Sequence, residues 1–191
     1  MLYQRLLLLL TCIGLLYGCS TTMPDNLSLR IQVVDIDVSI KSTSFDIEIH
    51  DKRTNPAIVE IVYSSNRKKN ILPRSNFMDE LKNTFQKSLT NKGYDTSEPT
   101  QAKLSIVVNT LKMKVKQSNL KHTIRTKIAL QAIIVHHSKR FKKSYQLKTK
   151  TEGTLALSAT DIRNNLSRQL NNVIRSMLND PELHKAFNKI E

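Results

Sequence analysis

From Leu104 to Leu157 apolar and polar residues alternate over most of the stretch. A period of two sustained over that length fits long strands and little else, because successive side chains of a strand point to opposite faces. Leu104, Ile106 and Val108 share one parity, whereas Leu111, Met113 and Val115 take the other. A slip of one residue would turn a whole apolar set out into water, so the phase change at Asn109 and Thr110 predicts a β-bulge that returns it to the core face. Ser118 and Asn119 turn the chain into a strand carrying Ile124, Ile128, Leu130, Ala132 and Ile134. Phe141, Tyr145 and Leu147 follow, and Leu155 and Leu157 close the run after a second phase change near Gly153. Three long strands in succession predict an antiparallel meander.

Shorter elements surround it. Val34, Ile36, Val38 and Ile40 alternate with Asp35, Asp37 and Ser39, and Phe45, Ile47 and Ile49 alternate with Asp46 and Glu48, which predicts two more half-buried strands. Residues 58–63 read as a third, and residues 64–70, with Arg67, Lys68 and Lys69, as a basic loop. A first helix starts near Ser75 or Asn76, buries Phe77, Leu81, Phe85 and Leu89, and ends before Gly93, the residue suited to a left-handed cap. A second starts near Thr160 or Asp161 and carries Ile162, Leu166, Leu170, Val173, Ile174 and Met177 on one face. Asp180 caps a short last helix with Pro181 at its first position, and Leu183 and Phe187 point one way. The pattern predicts an α+β fold in two layers: a mostly antiparallel sheet of about six strands with long hairpins, two amphipathic helices on one face, and a short C-terminal helix.

The N-terminus adds a location. Arg5 precedes an apolar run over residues 6–16, and Leu16-Tyr17-Gly18-Cys19 closes it in the manner of a bacterial lipobox, with a small residue before the cysteine. Residues 6–17 reach about 18 Å as a helix, against a hydrocarbon core of about 30 Å. The expected organisation is a signal peptide over residues 1–18, removed; a lipidated Cys19 with a tether over 19–29; and one periplasmic domain over 30–191. Ser20 is not the Asp that retains enteric lipoproteins in the inner membrane, so the periplasmic side of the outer membrane is the expected site, reached through lipid on Cys19. Cys12 leaves with the leader, and the mature chain keeps no thiol for a disulfide. The domain, about 170 residues, must then be held by core burial alone.

The order of these pieces resembles the YajG family of Gram-negative lipoproteins. The resemblance runs through Cys19, the strand over 45–53 ending in Asp51-Lys52-Arg53, the helix running into Lys92-Gly93-Tyr94, the strands over 102–115, 123–135 and 145–153, and residues 180–187. It implies an outer-membrane lipoprotein of this fold and supplies no catalytic residue.

Composition narrows the chemistry. Only Gly93 and Gly153 lie beyond the leader, which excludes the clustered glycines of a phosphate-cradling loop. His50, His122, His136, His137 and His184 lack metal-ligand spacing, and His136 and His137, adjacent on a strand, are expected to face opposite ways. No cofactor is expected. Asp35 with Asp37, and Asp46 with Glu48, have the same-face spacing of an acid/base pair, but lie on the polar side of their strands, where solvation or pairing with lysine is the simpler role.

Charge is more informative. Thirty Lys and Arg against sixteen Asp and Glu leave a formal net charge of +14. Lys112, Lys114 and Lys116 oppose Met113 and Val115 in parity; Arg125 and Lys127 oppose Ile124 and Ile128; Lys148 and Lys150 oppose Leu147. One sheet face should therefore be a field of cations whose mutual repulsion is offset internally, by Asp35, Asp37, Asp46 and Glu48, or externally by an anionic surface. Export separates the chain from nucleic acid. The expected function is non-enzymatic binding or bracing of an envelope component, alone or as an accessory subunit of a larger envelope or secretion assembly. The alternatives are a periplasmic regulator of peptidoglycan synthesis and an enzyme acting on cell-wall glycan.

Overall fold

The computed structural model describes residues 22–37, 44–96, 102–118 and 120–188. The expected α+β architecture is present: one seven-stranded sheet with helices packed on it. In chain order the elements are β1 (Asn26–Leu27), β2 (Asp46–Asp51), β3 (Val59–Tyr63), β4 (Lys68–Pro73), α1 (Phe77–Thr90), β5 (Ala102–Gln117), β6 (Lys121–His136), β7 (Lys139–Thr154), α2 (Ala159–Leu178) and α3 (Pro181–Asn188). The strands lie in the order β1-β4-β3-β5-β6-β7, with β2 also paired to β5.

The meander forms as its periodicity requires. β5, β6 and β7 are each 16 residues long and antiparallel. The β5–β6 register shifts between Val108 and Thr110, so Asn109 is the extra residue of a bulge. Leu104, Ile106 and Val108 on one side of it, and Leu111, Met113 and Val115 on the other, are all buried. The bulge also marks a change of neighbour. Before it β5 pairs in parallel with β2, up to Asp51 opposite Val108; beyond it β5 pairs in parallel with β3, from Val59 opposite Met113. Two short strands thus share one edge of β5 end to end.

The helices bury the stripes expected of them. Phe77, Leu81, Phe85 and Leu89 of α1 and Ile162, Leu166, Leu170, Val173, Ile174 and Met177 of α2 join the core. α2 begins at Ala159, slightly earlier than anticipated, because Ser158 is its N-cap and forms a reciprocal capping box with Asp161. Gly93 takes φ 99° just past α1. At α3 the Glu182 N–H donates to the Asp180 carboxylate, as an N-cap does.

Four expectations need correction. The alternation over 34–40 is not a strand over its described part: residues 28–37 join no ladder, and Val38 and Ile40 lie outside the described residues. This stretch is an extended strap whose N–H groups are received by helix side chains. Arg30 N–H donates to Ser167 Oγ, Gln32 N–H to Asn171 Oδ1 and Val34 N–H to Ser88 Oγ, while Asn171 Nδ2 donates back to the Arg30 carbonyl. One asparagine amide thus replaces the peptide of a neighbouring strand. Val34 and Ile36 are buried by the same alternation a strand would show, while Leu27 and Leu29 are buried on the opposite parity. Secondly, the basic loop over 64–70 is a turn plus β4; Asn66 supplies the left-handed residue at φ 59°. Thirdly, β7 ends at Thr154, and Leu155 is exposed at φ 67°. Finally, the segment read as a tether is attached from Met23 onward, since Lys69 Nζ holds the Met23 carbonyl and Asn26–Leu27 pair with β4.

Replacing Asn171 by Ala leaves the Gln32 N–H and the Arg30 carbonyl without their partner. The expected loss is about 1–2 kcal/mol in urea unfolding. Hydrogen exchange should quicken at Gln32 and Val34 and stay slow across 124–134.

A candidate anion-binding face of the sheet

With the helices on one side, the other face of the meander carries every cation that parity assigned to it. The ladders arrange them in rows. Lys112 stands opposite Lys127, and Lys127 opposite Lys148; in the next row Lys114 faces Arg125, and Arg125 faces Lys150. Lys116 faces Thr123, which faces Glu152. Neighbouring strands lie about 4.8 Å apart, so each of the first two rows sets three like charges side by side.

Part of this charge is neutralised within the fold, though not by the carboxylates expected. Asp35 and Asp37 lie on the strap, and Asp46 and Glu48 flank the far half of β5. Glu48 engages Lys103 at 2.6 Å and His50 at 3.2 Å. The Lys103 hydrogen bond holds its carboxyl below the usual range, the reverse of what a general acid requires. The neutralising group is Glu60 of β3, which lies beside the half of β5 that carries the lysines. It binds Lys112 at 2.9 Å and Lys114 at 2.8 Å, and their hydrogen bonds pull its pKa down to about 2. The sequence signal was a lone carboxylate within the apolar run of 58–63. Lys150 binds Glu152 at 2.7 Å. Arg125, Lys127, Lys148 and Lys116 form no ion pair among the described residues, and Glu152 acts on Arg125 only at longer range, which leaves Arg125, Lys127 and Lys148 as a contiguous centre uncompensated by any ion pair.

Cys19, the expected lipidation site, lies outside the described residues. Nor does any helix among the described residues have the length and apolarity to cross a membrane. The histidines scatter. His184 is buried: its Nε2–H donates to the Leu178 carbonyl at 2.6 Å and its Nδ1 accepts from the Tyr94 hydroxyl at 2.8 Å, and burial lowers its pKa. With Phe45, Tyr94 and Phe187 it forms an aromatic cluster joining β2 to α3. His136 and His137 do not point to opposite faces as expected. His137 turns at φ 50°, which brings the two ring centroids to 4.1 Å.

Glu60→Gln should destabilise the fold by about 1–2 kcal/mol at neutral pH, a modest figure because both lysines are more than a third exposed and solvent screens them. The carboxyl's folded pKa lies below its ordinary 4.5, so its contribution is complete above pH 4.5 and lost as pH falls towards about 2. Chemical unfolding of both proteins across that window should show the difference between them shrinking.

Comparison with known proteins places this geometry in a family. The model of a family described as "Uncharacterized lipoprotein" matches residues 30–188. "Uncharacterized lipoprotein YajG" of Escherichia coli strain K12 is 23% identical over 188 residues, 96% of each chain. Among solved structures, protein XCC0632 of Xanthomonas campestris superposes with a TM-score of 0.59 at 10% identity, over 86% of this chain and 95% of that one. A putative neuraminyllactose-binding hemagglutinin homolog from Helicobacter pylori gives 0.52 at 12% identity, over 86% and 97%. At these identities the solved structures speak for the fold alone.

Proposed function

We propose, since the chain belongs to the lipoprotein family whose model matches residues 30–188, that it is a non-enzymatic protein anchored by acylated Cys19 to the periplasmic side of the outer membrane, where its basic sheet face binds or braces an anionic envelope component. The carrying observation is the uncompensated centre. Arg125, Lys127 and Lys148 are adjacent across β6 and β7 and repel one another, while the fold spends its nearby carboxylates, Glu60 and Glu152, on Lys112, Lys114 and Lys150. A partner presenting phosphates or carboxylates relieves that repulsion, and the long-range field raises its rate of encounter. Lys116 continues the patch to the sheet's end.

The test uses acylated protein in isolated outer membranes. Changing Arg125, Lys127 and Lys148 together to Gln removes repulsion and so should leave thermal stability equal or higher. Crosslinking from this face to its partner should fall at least as far as it does for the unaltered protein when ionic strength rises from about 0.1 to 1 M, which shortens the screening length from about 10 to 3 Å. An unchanged crosslinking pattern with intact anchoring would end the binding reading.

A further inference from the structure

The end of the sheet where β5 stops is distinct from the rest of the surface. Tyr63 lies opposite Gln117, Gln117 opposite His122, and Lys121 opposite Thr154, so the β3–β4 turn, the β5–β6 turn and the end of β7 meet there. The chain enters at the same end: Thr22 and Met23 share a groove with Tyr63, Gln117 and Ala156. From it β1 runs away, parallel to β4. Cys19 is three residues from Thr22, a reach of at most about 11 Å. An acylated Cys19 therefore sets this end, and no other, against the bilayer.

Two leucines project here. Leu120 is 78% exposed and Leu155 65%, the highest values for large apolar side chains among the described residues. They are neighbours, with the Leu155 N–H donating to the Leu120 carbonyl at 3.0 Å. Leu155 takes φ 67°, a backbone region glycine or asparagine enters readily and leucine does not. His122 Nδ1 hydrogen-bonds its carbonyl at 2.7 Å. The ring can do so only because position 153 is glycine: a Cβ there would lie 2.7 Å from it. A strained backbone that presents an apolar side chain to solvent is of the kind that clusters at functional sites. The surround is cationic, with Arg67, Lys68, Lys116 and Lys121 exposed, whereas the carboxylates of Asp25, Glu152 and Asp161 are engaged by Lys69, Lys150 and Ser158.

We propose that this end docks on an anionic phospholipid leaflet: Leu120 and Leu155 enter the interface between headgroups and acyl chains, and the four cations bind headgroup phosphates. The inference rests on the acylation of Cys19 proposed above. It makes the anchor one of two contacts and stands the long strands on end, their far turn at Ser138 about 50 Å from the surface at about 3.3 Å per residue. The uncompensated centre then lies in the half of the sheet nearer the membrane.

Because the mature chain's one cysteine is occupied by lipid in this reading, an introduced cysteine takes a spin label uniquely. Full-length acylated protein carrying Leu120→Cys or Ser138→Cys is reconstituted in phosphatidylethanolamine/phosphatidylglycerol vesicles, and label depth is read from collisions with oxygen and with a nickel chelate. The label at 120 should sit about 5–10 Å into the interface and that at 138 in water. Arg67→Gln, Lys68→Gln, Lys116→Gln and Lys121→Gln should each weaken docking roughly fivefold. In the label-120 protein, Leu155→Gly should relieve the backbone, leave melting temperature unchanged or higher, and yet draw the label toward water. A water-exposed label at 120 on protein whose mass shows the acyl chains overturns the docking inference and leaves the anchor standing; an unmodified amino terminus overturns both.

Discussion

The extra residue at Asn109 is the constraint on which the rest of the molecule depends. It keeps two apolar triplets of opposite parity, Leu104-Ile106-Val108 and Leu111-Met113-Val115, on one face of β5. Were the strand regular, either one triplet would face water or Lys112, Lys114 and Lys116 would be driven against the helices. Burying a lysine without a partner costs more than a surface ion pair returns, so the bulged register is strongly preferred. The same irregularity falls where β5 exchanges β2 for β3, and that exchange brings Glu60 alongside the lysines. Core packing and surface electrostatics are thus set by one local event.

The surface that results is only partly at ease. Glu60 serves two lysines and Glu152 a third, and the meander still aligns Arg125, Lys127 and Lys148 without an ion-paired carboxylate among the described residues. Like charges opposed across a ladder weaken it by some tenths of a kcal/mol per pair, a burden the apolar face can carry because each buried Ile or Leu contributes about 1.5–3 kcal/mol. A fold without disulfides is able to hold an electrostatically unfavourable face in this way provided the opposite face is well packed. Ile124, Ile128, Leu130, Ala132 and Ile134 behind the cations meet that requirement.

Much of this was legible in the residues because periodicity reports burial directly. The helix stripes, the three long strands, the bulge and the common face of Lys112, Lys114, Lys116, Arg125, Lys127, Lys148 and Lys150 all follow from which side of an element meets the core. What failed was whatever periodicity does not encode. The strap alternates like a strand since any extended chain does, and nothing in Val34 or Ile36 reveals that its hydrogen-bond partners are Ser88, Ser167 and Asn171 on helices. β4 shows little alternation because, as an outer strand, it buries only Ile71 fully. Glu60 could be seen as a lone acid in an apolar run, but its service to Lys112 and Lys114 required knowing that β3 pairs in parallel with the half of β5 beyond the bulge. Left-handed turns at His137 and Leu155, neither of them glycine, leave no compositional trace.

The way the strap is held has a mechanical corollary. From Asp25 to Val34 the N-terminal segment is fastened by bonds set in line: the Leu72 N–H to the Asp25 carbonyl, the Arg74 N–H to Leu27, then Arg30, Gln32 and Val34 to the helices. β1 runs away from the end at which the chain enters, so tension applied there pulls along the strand and loads the first of these bonds in shear, whereas a pull across the segment would peel them singly. An attachment loaded in shear resists a pull from that end far better than its two-residue ladder suggests.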